Sequence, residues 1–235
     1  MVKNIIVSNR LPIKISKLNN SFEFTTTSGG LATGMKSFHK QNNSLWIGWP
    51  GIGIDEVDKN SWGTLSRSLK KGGFYSVNLN NSEIEDFYFG LPNKCLWPLF
   101  HYFIEYSIFS ESHWESYQSI NRKFAEAVLK NIAPGDTIWI HDYQLMLCPK
   151  MIRDLRPDVK IGFFLHIPFP SFEIFRTFPK REALLEGVLG ADLIGFHTYD
   201  YERHFLSSIK RILRLEVNFN KITLGIREIE VNTFP

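Results

Sequence analysis

Gly162-Phe163-Phe164-Leu165-His166-Ile167-Pro168-Phe169-Pro170 is an apolar run that delivers one histidine and then meets two prolines at alternate positions. It reads as a buried strand. Neither proline can continue a helix or donate to a central ladder, so the backbone leaves the sheet just past His166. In an open α/β sheet, ligands sit in the crevice outside the carboxyl ends of the strands. A lone histidine there is better explained as a structural cap. One strand earlier the pattern recurs: Asp136-Thr137-Ile138-Trp139-Ile140-His141 is punctuated by Pro134-Gly135 and followed at once by Asp142-Tyr143. Right-handed crossovers would place Asp142 and His166 at one edge of neighbouring parallel strands. Asp142 is equally placed to cap the helix expected over Tyr143 to Asp154.

Outward from this pair the chain alternates. Ile5 to Val7 is a short buried strand with Ser8-Asn9-Arg10-Leu11-Pro12 as the loop at its end. Ile13 to Ile15 and Phe22 to Thr25 form a hairpin around Asn19-Asn20-Ser21. Ser28-Gly29-Gly30 opens a helix to about His39, and Leu45 to Trp49 is the next strand, closed by Pro50-Gly51. A helix over Ser61 to Lys70 and a strand over Phe74 to Val77 follow. Ser82 with Glu85, and Ser112 with Glu115, have the spacing of capping boxes. The second opens a long helix with Trp114, Tyr117, Phe124 and Val128 on one face. After the strand Asp192 to Phe196, a last long helix aligns Tyr201, Phe205, Ile209 and Ile212, and two short strands end with Arg227 to Val231. This alternation predicts a Rossmann-like α/β fold, a parallel sheet with helices on both faces.

Composition removes several classes of function. The 27 basic and 24 acidic residues nearly balance, and no basic stripe points to nucleic acid. No apolar run is long enough to span a membrane, and a strand that begins by Asn4 leaves no room for a signal peptide. Cys95 and Cys148 lack metal-ligand spacing and suit a reducing, cytoplasmic setting, so no metal is expected. No Gly-x-Gly-x-x-Gly follows the first strand, which disfavours a nicotinamide or flavin; no cofactor is expected. Gly29 and Gly30 at a helix start would let a phosphate approach free backbone N–H groups, although a plain N-capped turn fits equally. Arg10, on the same rim as Asp142 and His166, has the fork geometry for a phosphate, or is a solvated surface arginine.

Taken in order, Ser8 to Pro12, Ser28-Gly29-Gly30-Leu31, Trp46 to Gly51, Leu96 to Tyr102, His141-Asp142-Tyr143-Gln144-Leu145, Gly162 to Arg176 and Gly195 to Tyr201 resemble the trehalose-6-phosphate synthase family. The resemblance runs from Ile5 to Pro235. It implies the amino-terminal, acceptor-side Rossmann-like domain of a GT-B fold, residues 1–235, with a carboxyl-terminal nucleotide-sugar domain absent; a chain that stops just past a strand also reads as cut at a domain junction. The implied reaction moves glucose from UDP-glucose to glucose 6-phosphate with retention, giving trehalose 6-phosphate and UDP. By the same resemblance Arg10 holds the acceptor phosphate, Tyr88 and Trp97 line the glucose 6-phosphate site, and Asp142 binds acceptor hydroxyls. His166 stands beside the donor glucose, and Gly29 and Gly30 meet the donor phosphate. Without the resemblance, Tyr88 and Trp97 read as core. Gln144 departs from a histidine common after the His-Asp-Tyr triplet. The isolated chain is expected to fold without catalysing transfer, since the remaining phosphate and ribose contacts lie in the other half. An inactive synthase-like scaffold fused to or associated with a trehalose-6-phosphate phosphatase is the alternative. A sucrose-phosphate type synthase is opposed by Trp97-Pro98 and by the run from His166 to Pro170. The donor nucleotide is left open among UDP, GDP and ADP.

Overall fold

A computed structural model describes residues 3–18, 21–26, 39 and 44–235. Gly29 and Gly30, the helix expected after Ser28 and the hairpin turn at residues 19–20 lie outside these residues. Nine strands form one sheet in the order β5-β4-β1-β6-β7-β8-β11-β10-β9. Its first seven are β5 (Phe74–Ser76), β4 (Leu45–Trp49), β1 (Asn4–Arg10), β6 (Thr137–His141), β7 (Lys160–Phe164), β8 (Leu193–Phe196) and β11 (Arg227–Thr233), all mutually parallel. β10 (Lys221–Leu224) and β9 (Glu216–Asn218) then add antiparallel. The expected hairpin is present as β2 (Ile13–Leu18) and β3 (Ser21–Thr26), paired apart from the large sheet.

Because side chains alternate along a strand, the sheet has two different faces. Ile5, Val7, Ile47, Ile138, Ile140, Ile161 and Phe163 point into the larger core. There they meet α4 (Glu111–Leu129), α5 (Cys148–Arg153), α7 (Arg181–Val188) and α8 (Tyr199–Ser208). Ile6 and Trp46 face the other way, against Leu65 and Leu69 of α1 (Lys59–Lys71) and Leu11 and Ile13 of the hairpin arm. Three further helices are α2 (Asn81–Tyr88), α3 (Trp97–Phe100) and α6 (Phe172–Phe175). On α4 the four residues expected on the apolar face, Trp114, Tyr117, Phe124 and Val128, are all buried. Among the described residues no helix is long and apolar enough to cross a membrane.

Several local expectations need correction. The capping box of α2 lies two residues earlier than expected: Asn80 caps the helix, accepting from Glu83 N at 2.8 Å, while Glu83 accepts from Asn80 N at 3.1 Å. At α4 the cap is Ser110, whose hydroxyl bonds the Ser112 hydroxyl at 2.8 Å and makes no cap bond, so Ser112 and Glu115 lie inside the helix. The single helix expected over 143–154 is split into a 3-10 turn, Tyr143–Leu145, and α5. Pro149 explains the break, since it is tolerated only in a first helical turn. The last helix is α-helical only to Ser208; it widens into a π-type turn over Ile209–Leu213, closed by Arg214 in the left-handed region at φ 57°. β1 runs on to Arg10, which pairs with Trp49 after an irregular step, so Ser8 to Arg10 are strand rather than loop.

Candidate functional site at the carboxyl edge of the sheet

Three successive parallel strands each hand a histidine to the same edge. His141 ends β6, His166 stands two residues past β7, and His197 follows β8. His141 Nδ1 lies 3.0 Å from His166 Nε2, and the His166 and His197 rings are 5.6 Å apart in an edge-on arrangement. Phe164 packs between them, 4.6 Å from the His166 ring and 4.9 Å from that of His197. Its place depends on Gly195, where a Cβ would come within 2.6 Å of the Phe164 ring.

His141 is 1% exposed, and its Nε2 has no hydrogen-bond partner. An orphaned acceptor lone pair is better tolerated in a dry interior than an orphaned N–H. We therefore assign the proton of the pair to His141 Nδ1, which donates to His166 Nε2 and leaves His166 carrying its own proton on Nδ1. Burial, with His166 as the lesser cause, lowers the His141 pKa to about 3. Burial and then His197 lower that of His166 to about 4. Near neutral pH both rings are uncharged, so His166 offers a neutral donor rather than a cation.

Asp142 adopts φ 78° and ψ 168°, an unusual backbone for a non-glycine residue. Its N–H donates to Phe164 O at 2.8 Å, and its Oδ1 accepts from Tyr143 N at 3.0 Å and His166 N at 3.2 Å. The carboxylate thus ties the β6 turn to the β7 turn, and capping and site geometry coexist in one residue. Burial raises its pKa to about 6 against the opposing pull of those two N–H donors. The turn itself is held from α4. Tyr117 donates to Tyr143 O at 2.7 Å and accepts from Met146 N, while Asn121 donates to Gln144 O at 3.0 Å and accepts from Leu147 N and Cys148 N. Two buried polar side chains on an otherwise apolar helix face therefore satisfy the backbone that the broken helix leaves open.

Arg10, at the end of β1 beside β6, is exposed and lies over the Trp49 ring at 5.4 Å. Gly51, at φ 91°, permits this: a Cβ there would lie 2.6 Å from the guanidinium. The Tyr88 ring stands 6.4 Å from Trp49, so one indole brings Arg10 and Tyr88 together. Tyr143 donates to Asn93 at 2.8 Å, linking the Asp142 turn to the π-type turn Leu91–Leu96 that leads into α3. Trp97, on α3, is 41% exposed; its ring contacts are His101 at 4.1 Å and Phe103 at 6.4 Å rather than Tyr88 or Trp49. Trp49, His141, His197 and Tyr143 were not singled out from sequence. The repeated placement of a histidine at each strand end was a signal for two of them. Among the described residues no cluster of three or more histidines, cysteines or carboxylates has the geometry of a metal site.

The family model of glycosyltransferase family 20 matches residues 2–235. A UDP-forming α,α-trehalose-phosphate synthase of Botryotinia fuckeliana is 44% identical over 98% of this chain and 45% of its own length. The structure of the N-terminal domain of Candida albicans trehalose-6-phosphate phosphatase superposes with a TM-score of 0.85 at 33% identity, covering 100% of this chain and 48% of that one. A UDP-forming trehalose-phosphate synthase from Burkholderia xenovorans gives 0.81 at 30% identity, with 100% and 48% coverage. The chain spans about half the length of the curated relatives it matches.

Proposed function

Since the chain belongs to glycosyltransferase family 20, as the amino-terminal domain of a GT-B fold of trehalose-6-phosphate synthase type, we propose that it forms the acceptor-binding half of the site and takes glucose 6-phosphate. The observation that carries the reading is the gathering of Arg10, Tyr88, Asp142 and His166, from four distant stretches of sequence, around the carboxyl ends of β1, β4, β6 and β7. Arg10 is the phosphate ligand, its planar fork steadied by Trp49 and matched to two phosphate oxygens. The Tyr88 hydroxyl is a further donor to the same phosphate. Asp142 accepts from acceptor hydroxyls, and Trp97 is an apolar wall for the sugar.

Transfer from a nucleotide sugar such as UDP-glucose builds negative charge on the departing phosphate and positive charge on the anomeric carbon. Catalysis in such a step rests on stabilising the leaving group and orienting the two sugars. His166, neutral and with its free donor on Nδ1, is a positioning donor to a sugar hydroxyl and not a base. Of Arg10, Tyr88, Asp142 and His166 only Asp142 is a carboxylate, so the paired-carboxylate mechanism of glycosidases is not the one proposed. Retention then requires same-face attack, with the acceptor proton passing to the leaving phosphate. Groups that neutralise that phosphate belong to the other half of the full-length protein, together with Gly29 and Gly30 here. The isolated chain binds acceptor but does not turn over.

The likeness to a phosphatase N-terminal domain, with TM-score 0.85 against 0.81 for the synthase, favours a second reading: a synthase-like domain retained as a scaffold without transfer activity. Both are tested by NMR titration of the chain with glucose 6-phosphate, glucose and the Arg10→Ala variant. Saturable shifts that need both the phosphate and Arg10 support the acceptor site. Their absence moves the reading to the scaffold. UDP release by the full-length protein from UDP-glucose and glucose 6-phosphate then separates an active synthase from a binding-only domain.

A further inference from the structure

Four arginines from three elements converge on the helical layer, apart from the residues of the strand-end site. Arg176 follows α6, Arg181 opens α7, and Arg211 and Arg214 belong to the π-type turn and its end; with Phe172 and Ile212 they line an open concavity of about 420 Å³. Two carboxylates oppose them. Glu173 reaches Arg211 at 3.2 Å and Arg176 at 3.8 Å, and Glu182 shares the wall without an ion pair among the described residues. Arg211 is also fixed over the Phe172 ring at 4.6 Å. Arg181 is half-buried, and one of its nitrogens donates to Phe178 O at 3.3 Å. Arg214 has neither a hydrogen bond nor an ion pair among the described residues. The concavity thus retains an excess of positive charge.

We propose that this concavity is a second anion site, built for a small molecule bearing a phosphate ester or pyrophosphate group and independent of Arg10. Planar guanidinia from separate elements suit the several oxygens of such a group. The frame beneath them is firm: Phe175, Leu184, Leu185 and Ile209 are buried in the core. Its volume is within the range of small-ligand pockets, and Phe172 and Ile212 add an apolar flank. Two backbone irregularities, the π-type turn and the left-handed Arg214, present two of the four guanidinia here. Such departures from regular geometry are frequent at functional sites.

The test is an amide NMR titration of the 235-residue chain with inorganic pyrophosphate in about 0.1 M salt, with sulfate as the general-anion comparison. The expected result is saturable shifts at Phe172 and Ile212 with a Kd below roughly 1 mM, weaker for sulfate and unchanged by Arg10→Ala. Arg181→Gln should weaken binding by about threefold to tenfold. Arg214→Gly should do the same while raising Tm, because glycine relieves the left-handed backbone. A merely structural arginine would not produce that opposite pair of effects. Shifts that fail to saturate by about 10 mM, equal affinity in both variants, or shifts lost in Arg10→Ala would overturn the proposal.

Discussion

Asp142 does two jobs whose demands conflict. As the tie between two strand-end turns it needs an acceptor oxygen; as a buried carboxylate it resists ionisation, with a pKa raised to about 6. A raised carboxylate pKa means that its contribution to stability is fully present below the unfolded value near 3.8 and is lost as pH rises through 6. Asp142→Asn keeps the acceptor, suits a positive φ and carries no charge. We expect it to stabilise the fold by about 1–3 kcal/mol at pH 7.5, with the gain vanishing below pH ~4, and to abolish glucose 6-phosphate binding. Urea denaturation across pH checks the first effect and NMR titration the second. The histidines work in the opposite sense. Their lowered pKa values supply stability above 6.5 that is lost as pH falls through about 4 for His166 and about 3 for His141. Nitrogen-15 NMR of the imidazoles should find both rings neutral at pH 5, with the His166 proton on Nδ1; a proton on Nε2 would refute the assigned tautomer, and a His166 that titrates near 6.5 would refute the neutral pair. At this scale Asp142 and His166 were legible because their strands were legible. Trp49 was not, because its part is to orient an arginine, and a tryptophan that ends a buried strand reads as core.

Elements follow local sequence wherever one rule governs them, and depart from it where two compete. Around residue 80 both Asn80-x-x-Glu83 and Ser82-x-x-Glu85 satisfy the capping-box pattern, and pattern alone cannot rank them. The tie is broken by a distant residue: Asp55 accepts from Asn81 N at 3.1 Å, holding the first turn of α2 at the earlier position. Asn80→Ala should therefore cost about 1 kcal/mol in urea denaturation and Ser82→Ala only a few tenths, and the reverse order would disprove the observed cap. The strands were the easiest part to read. β4 matches its expected bounds, and β1, β5, β6 and β8 differ from theirs by a few residues, because short apolar runs between turn signals identify parallel strands; β11, also within a few residues, was read instead from the alternation of Ile229 and Val231 with polar neighbours. The helix after Asp142 was hardest, since only the tertiary partners Tyr117 and Asn121 make a broken start tolerable.

Across the whole molecule the two edges of the sheet divide the labour. The carboxyl edge gathers strained and ionisation-resistant groups, as a binding site requires, and the amino edge carries the compensating bonds. Asp192 is its hub. Its backbone N–H donates to Ile161 O at 2.7 Å and its carbonyl accepts from Glu230 N at 2.9 Å, joining β7, β8 and β11. One carboxylate oxygen takes Arg153 at 2.6 Å and Ile161 N at 2.8 Å, and the other takes Arg227 at 3.2 Å. Arg153, whose side chain is 10% exposed, also donates to the carbonyls of Pro157, Val159 and Gly190. Asp192→Ala leaves that guanidinium charged, enclosed and without its counter-ion. Loss of one member of a fully buried pair costs roughly 3–5 kcal/mol; because the Asp192 side chain is 41% exposed, solvent screening reduces the expectation to about 1–3 kcal/mol. The loss should fall on global stability alone. Below its melting transition the variant should keep neutral His141 and His166 and bind glucose 6-phosphate as the parent chain does, because no contact of Asp192 reaches the opposite edge. A variant that unfolds earlier yet retains its strand-end site would establish that the two edges are independent. If binding weakened in step with stability while the chain remained folded, the site would be held by the sheet as a whole, and the division of labour would be wrong.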